Sequence, residues 1–491
     1  MSQCSIPLTL TSVIVAILTT PVVTAEEPVV VGQRREIFVD YQLIDNLKAT
    51  TLRMHHPQPA ETVLHFDKPW EGAFCGYVTV IDTRDGRYRM YYRGLPASGR
   101  DGSDSEVTCY AESNDGIHWR KPNLRVYEID GSKDNNVVLS GQTPASHNFS
   151  PFLDSNPDTK PEQKYKALGG NDKGLIAFVS PDGIHWIRAQ KEPVFFDGVF
   201  DSQNVSFWSD AEQQYVCYFR TWSEGGYRGF RTISRTTSPD FLNWSDPQVM
   251  NFGDRPLEHL YTNQTHPYAR APHIYVGIAA RFMPGRQVIT DTEAAKVKVD
   301  PKYFGDCSDA VLLTTRGGNR YDRTFMESFI RPGYGLQNWV SRTNYPVLGI
   351  LETGTDQLSI YIQRNYGQPT SHIRRFTLRI DGFASINAPY SGGEMITKPL
   401  SFTSDSGLIS KRQLELNFAT SAAGMIRVEL QNAAGETIAG YSADDCDPLI
   451  GDHISRAVSW QGKTDLSQLV ATPLRLRFVM HDADLYALQV P

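Results

Sequence analysis

Ser113-Asn114-Asp115-Gly116-Ile117-His118-Trp119 returns almost unchanged as Ser180-Pro181-Asp182-Gly183-Ile184-His185-Trp186. A looser copy is Ser238-Pro239-Asp240-Phe241-Leu242-Asn243-Trp244, and a weaker one is Thr315-Arg316-Gly317-Gly318-Asn319-Arg320-Tyr321. The copies lie roughly 60 to 80 residues apart, the size of a four-stranded sheet with its loops. Each copy makes sense as a hairpin turn. Ser and Asp side chains satisfy backbone groups inside the turn, and Gly takes the conformation that other residues resist. The closing Trp then folds back as an apolar anchor between neighbouring sheets.

Strand-like runs surround these turns. Val107–Ala111, Leu175–Val179 and Thr232–Arg235 precede the first three copies, and Tyr88–Tyr92 and Tyr215–Phe219 lie one strand further upstream. A fifth unit fits Val347 to Phe383, with strands at Leu358–Ile362 and Phe376–Ile380. Radial repetition of such units is how a β-propeller protects its sheet edges. The fold expected is therefore all-β: a five-bladed β-propeller over residues 26–383, followed by a C-terminal β-sandwich over 384–491. In the latter, Leu414–Phe418, Ile426–Leu430 and Leu474–Val479 alternate apolar and polar, and the repeat signature is gone.

The totals agree with this division. At 491 residues the chain exceeds what one core usually serves. A formal net charge of -7 gives no electrostatic reason to expect nucleic acid or an anionic membrane surface as partner. Ile6 to about Val23 is apolar and uncharged, and Val23-Thr24-Ala25 precedes Glu26-Glu27. Residues 1–25 are thus expected to be a signal peptide and the mature protein to be secreted or periplasmic, with no membrane association once the signal is removed. The cysteines after it are scattered, with no zinc-like spacing, and buried thiols are the expectation.

The serial Ser-x-Asp-Gly-x-x-Trp turns and the propeller-then-sandwich order resemble the five-bladed propeller glycoside hydrolases of families 32 and 43, the invertase, levansucrase and arabinanase relatives, as a divergent bacterial branch. The resemblance covers nearly all of the mature chain in architecture. It does not extend to catalytic motifs: the family 32 motif Trp-Met-Asn-Asp-Pro-Asn-Gly, its Arg-Asp-Pro motif and its Glu-Cys motif are all absent. The resemblance implies a glycosidase acting on a poly- or oligosaccharide, and its alternative is a glycan-binding propeller without chemistry.

Glycoside hydrolysis usually needs two carboxyl groups, and the inner strand of each unit should line a central funnel. Glu71 beside Trp70 opens unit one, Asp201 with Asn204 opens unit three, and Glu258 with His259 opens unit four. These acids are the catalytic candidates, with Asp201 as nucleophile, base or charge stabiliser and Glu71 or Glu258 as proton donor. Asp40 and Glu327 stand in reserve. Trp70, His147, Asn148, Asn204, His259 and Trp339 are the expected sugar-binding side chains. Arg93, Arg220 and Arg281 follow strands in a recurring position, which suits an anionic glycan. No cofactor is expected, and a structural calcium ion in the funnel is compatible with the sequence without being indicated.

Overall fold

The computed structural model describes residues 1, 27–98, 102–403 and 412–491. The expected signal peptide lies outside the described residues. The chain is nearly all β, with one seven-residue α-helix, Asp291–Val297, among the described residues.

Five antiparallel meanders follow one another. The first is Gly76–Asp82, Tyr88–Gly94, Val107–Ser113 and Val137–Leu139. The second is Ser150–Leu153, Tyr165–Asn171, Gly174–Ser180 and Ile187–Arg188. The third is Val205–Ser209, Gln214–Trp222, Arg231–Ser238 and Gln248–Val249. The fourth has three strands, His266–Tyr268, Ala271–Met283 and Cys307–Thr315, widened by isolated bridges at Ile330 and Asp322. The fifth is Tyr345–Glu352, Gln357–Arg364 and His372–Arg379, and its outer strand, Gln58–His65, comes from far earlier in the chain. The leading strands of the five contact one another in order, and that of the fifth returns to that of the first through a parallel bridge between Leu348 and Thr79. They form a closed ring.

The repeated turns are built as their side chains require. Asp182 Oδ1 accepts from the N–H groups of Ile184 (2.8 Å) and His185 (2.9 Å), and Ser180 Oγ accepts from Gly183 N (2.8 Å). Trp186 Nε1 donates to the Gly183 carbonyl at 3.1 Å. The Asp115 and Asp240 turns repeat this pattern, and Asn243 takes the place of the turn histidine by donating to Asp240 Oδ2 at 2.6 Å. Each of the first two turns is also clasped from the meander before it, since Tyr361 and Tyr91 donate to the carbonyls of Gly116 and Gly183. Gly183 has φ +73°, and a Cβ there would lie 2.6 Å from the Tyr91 hydroxyl, so backbone conformation and close approach both demand glycine. The fourth copy departs from the pattern. It lacks the Ser and Asp, Arg316 reaches away to Glu36 and Asp40, and Tyr321 instead shares a hydrogen bond with Thr265.

The C-terminal part differs from expectation in two respects. It is one curled ten-stranded sheet around its own core of Phe418, Phe478, Trp460 and Met395, rather than a sandwich of short strands. Its two longest strands, Glu415–Asn432 and Leu474–Gln489, pair along most of their length, with bulges that bend them. Further, Val29–Val30, Glu36–Ile37, Ile44–Lys48 and Thr51–Met54, assigned by sequence to the propeller, pair into this sheet. Strands of two to five residues are too short for apolar periodicity to announce them or to say which edge will accept them. Asp381, fully buried, joins the parts by bonding Arg35, Arg270, Tyr268 and Asn417.

Burial alone would raise the Asp182 carboxyl, but the His185 N–H, the His185 ring and the Ile184 N–H outweigh it and hold the pKa at about 2. Asp115 and Asp240 are lowered in the same way. Their folded values lie below the unfolded value of about 4, so this stabilisation is complete above that pH and is lost as pH falls toward 2. The urea midpoint should therefore drop over that acid range, and less steeply in the double variant Asp115→Asn/Asp182→Asn. An equal drop in both proteins would exclude the turns as its cause.

Candidate active site

The axis of the ring is sealed by two buried glutamines. Gln203 Nε2 donates to Val78 O (3.2 Å) and Thr79 Oγ1 (2.9 Å), while Gln264 Nε2 donates to Gln203 Oε1 (2.7 Å) and Pro346 O (2.8 Å). These bonds tie four of the five leading segments together. The space left between them is about 10 Å³, room for one water at most. The floor divides the axis. A ligand entering from the Tyr77 side must stop above it, and a separate cavity of about 510 Å³, lined by Val80, Pro151, Ser206, His266 and Gly349 among others, lies on its other side.

Tyrosines and arginines crowd the mouth above it. The Tyr77 hydroxyl donates to the Asp201 carbonyl at 3.1 Å, and the Tyr77 ring lies 5.3 Å from that of His147. His147 sits between Glu106, 2.8 Å away, and Arg93, 3.1 Å away. Arg93 also donates to Phe74 O and Tyr366 Oη. The Asp201 side chain pairs with the Arg220 guanidinium and keeps 42% of its surface exposed, enough to meet a ligand. Arg220, Arg231 and Arg342 lie 5.1, 5.3 and 5.7 Å from the centre of the Tyr261 ring. Burial would raise the Tyr261 phenol, but these three cations outweigh it and bring the phenol below its ordinary value. The Asp306 carboxyl, acted on by Arg342 and Arg231, is nonetheless raised, because burial dominates. Its Oδ1 is buried without a hydrogen-bond partner.

A groove of about 780 Å³ runs beside the mouth, lined by Phe230, Leu257, Glu258, His259, Arg281 and Trp339 among others. The two spaces share a wall. Phe282 lines the groove, stands 5.9 Å from Tyr261 and lies under Arg231 at 4.8 Å. Within the groove, Glu258 accepts from Arg281 (2.9 Å) and Arg323 (2.9 Å), and Asp309 takes the other face of Arg281 at 2.9 and 2.6 Å. Burial and Arg231 lower the His259 ring, which therefore favours its neutral form. It accepts from Arg231 N at 3.2 Å. Trp339 donates to Gly333 O and lies half-buried along the groove.

The expected site residues thus divide. Asp201, Arg93, His147 and Arg220 meet at the mouth, and Glu258, His259, Arg281 and Trp339 meet in the groove. Glu71 and Trp70 belong to neither. Glu71 is fully buried, and its oxygens are taken by Tyr92 Oη (2.6 Å), Lys121 Nζ (2.6 Å) and Lys68 N (3.0 Å). It is a structural ion pair, unable to reach a substrate. Trp70 donates to Asn136 Oδ1 and packs on the first meander's core. Asn148 is a buried clamp, exchanging two 2.9 Å bonds with Gly170 and donating to Phe200 O, and Asn204 is likewise buried with its amide on Phe200 and Ser202. Arg281 is neutralised by two carboxylates and is not a free cation at the rim. Of the reserves, Asp40 is held by Arg316, and Glu327 is exposed beside the groove, between Met326, whose carbonyl accepts from Arg281, and Ser328 of the groove lining. The sequence reading missed Tyr77, Tyr261, Arg231, Asp306 and Arg342. One signal was available, because a tyrosine stands at the mouth end of three leading segments, at Tyr77, Tyr261 and Tyr345.

No family model matches the chain, and no curated protein matches it. Solved structures do. The chain is similar to an N-acetylgalactosamine deacetylase from F. plautii in complex with blood group B trisaccharide, at 14% identity over 68% of this chain and 96% of that one, with a TM-score of 0.43. It is similar to a β-1,2-mannobiose phosphorylase from Listeria innocua, at 12% identity over 66% and 97% of the two chains and a TM-score of 0.41. It is also similar to a fructofuranosidase from Schwanniomyces occidentalis complexed with fructosylnystose, at 12% identity over 89% and 97% and a TM-score of 0.34.

Replacing Glu71 by Gln should leave Lys121 with a weakened partner in a buried setting and cost about 3 kcal/mol in urea denaturation. Ligand binding by the folded variant should be retained. Lost binding with unchanged stability would return Glu71 to the site.

Proposed function

We propose that the five meanders are the blades of a five-bladed β-propeller, and that the chain is an exported glycoside hydrolase with its substrate seated at the mouth of the funnel. The observation that supports this reading is that Asp201 and Asp306 both border the arginines gathered around Tyr261, Asp201 through Arg220 and Asp306 through Arg342 and Arg231. They come from different meanders and meet the same arginine and tyrosine cluster above a sealed floor. Their environments differ as the two roles require. Asp306 is half-buried, with Oδ1 out of contact with water, and raised in pKa by that burial, which suits a proton donor, while Asp201 is half-exposed and ion-paired with Arg220, which suits a carboxylate.

In this mechanism the Asp306 carboxyl gives its proton to the leaving glycosidic oxygen as the bond to the anomeric carbon breaks. Asp201 serves on the other side, as nucleophile at that carbon or as base toward the attacking water. The tyrosine rings supply flat faces for the sugar, and His147, fixed between Glu106 and Arg93, supplies a polar edge. Glu258, tied up by two guanidiniums, is left to organise the groove.

Assay of the purified protein against a panel of oligosaccharides should show release of reducing ends. Asp201→Asn and Asp306→Asn should each lower kcat by 10²-fold or more, on the order of what a lost acid or base costs. Activity should fall as pH rises through the Asp306 pKa, which lies above the usual carboxylate value. Binding without turnover would overturn the hydrolase reading in favour of a glycan-binding propeller.

A further inference from the structure

The guanidiniums at the mouth are not equivalent. Arg93 is committed to Phe74, Tyr366, His147 and, at 4.0 Å, Glu106. Arg220 is committed to Asp201. Arg231 and Arg342 have no ion pair among the described residues, although both are partly withdrawn from water. Aromatic rings hold them instead. Arg231 lies over Trp222 at 4.5 Å, Phe282 at 4.8 Å and Tyr261 at 5.3 Å. Arg342 lies over Tyr303 at 5.1 Å, Tyr261 at 5.7 Å and Tyr366 at 6.0 Å. Stacking occupies the faces of a guanidinium and leaves its in-plane N–H groups for an acceptor. The Nε atoms of both Arg231 and Arg220 are buried without one.

We infer that Arg231 and Arg342 receive an anionic oxygen group, a carboxylate or a sulfate ester, carried by the sugar at the mouth of the funnel. The inference rests on the funnel being the glycan site and names the class of glycan: an acidic one. Three observations lead to it. First, with Arg220–Asp201 and Arg93–Glu106 cancelling, two cations face one carboxyl, that of Asp306, which burial biases toward its neutral form. The mouth is therefore locally positive in a chain of net charge -7. Second, the cluster offers donors in excess: guanidinium N–H groups, the unpartnered Tyr345 hydroxyl and the unpartnered Trp222 indole N–H. A neutral sugar brings donors as well as acceptors, whereas a carboxylate or sulfate brings acceptors alone, in the geometry that guanidinium forks match. Third, Arg342 holds this position with φ +55°, a left-handed backbone conformation that costs energy in a non-glycine residue and tends to mark functional sites. The cationic surface continues into the groove, where Arg286 and Arg331 are exposed and have no ion pair among the described residues.

The test is calorimetric titration of the full chain with three tetrasaccharides: a galacturonate tetramer, a sulfated galactan tetramer and neutral galactotetraose. The Asp306→Asn variant is used if any of them is cleaved. At least one acidic tetramer should bind ten-fold or more tightly than the neutral one, with affinity falling as salt is raised. Which acidic arm binds distinguishes carboxylate from sulfate. Arg342→Gln and Arg231→Gln should each remove most of that preference, and Arg342→Lys should restore part of it. If Arg231→Gln fails to fold by circular dichroism, Arg342→Gln and the salt dependence decide. Equal binding of neutral and acidic tetramers, or a preference unchanged in Arg342→Gln, overturns the inference. The two readings fail separately. Arginine-dependent binding of an acidic tetramer without turnover of any glycan removes only the hydrolase. Asp201-dependent cleavage of neutral glycans that ignores Arg342→Gln removes only the acidic substrate.

Discussion

The antiparallel pairing of Gln58–His65 with His372–Arg379 is the contact on which the rest of the ring depends. The fifth meander would otherwise present an open edge, and the leading strands would have no reason to close on Leu348 and Thr79. Joining segments some 300 residues apart costs loop-closure entropy, but that cost grows only logarithmically with length, and a full outer strand of hydrogen bonds offsets it. Once closed, the ring brings loops from all its meanders to one mouth. The cluster of Arg93, Arg220, Arg231, Arg342 and Tyr261 is a consequence of that closure, because its members come from the first, third, fourth and fifth units.

Tyrosine recurs at the seams. Tyr361 and Tyr91 clasp the turn of the following meander, while Tyr275 reaches back to Ser209 and Glu212 in the third. These phenols sit in apolar seams with their hydroxyls satisfied, which makes each joint both buried and directional. The same residue type at the mouth is less fully bonded. Tyr261 faces three cations, and the Tyr345 hydroxyl has no partner. One side chain thus fastens the scaffold at the outer turns and stays available near the axis.

The repeated turns were legible because their bonding is local: Ser180, Asp182, Gly183 and Trp186 satisfy one another within seven residues. The strand periodicity of the fifth unit was legible for the same reason. The destination of residues 29–54 was not, since their partners lie more than 300 residues away and any exposed edge would satisfy their pattern. The candidate site was half legible. Asp201, Arg220, Arg93 and His147 flank recognisable leading or second strands, and they do meet. Glu71 carried the same local signature as Asp201, an acid amid polar and aromatic neighbours. Only the fold shows that Lys121, fifty residues on, buries one of them and leaves the other open. Asp306 and Arg342 precede strands without any distinctive neighbours, and their approach to each other beside Tyr345 is a fact of ring geometry alone.

The interleaving of the chain's two ends has a consequence for biogenesis. A ribosome releases residues 29–65 first, yet their strand partners lie between 372 and 489. For most of synthesis these early strands must wait unpaired beside meanders that can already form, exposing edges suited to pairing with another molecule. The two closures need different segments: the ring can close once His372–Arg379 has emerged, whereas the ten-stranded sheet waits for Leu474–Gln489. A nascent chain halted before His372–Arg379 would hold four meanders and an unclosed ring, and one halted after it would hold the ring without its ten-stranded sheet.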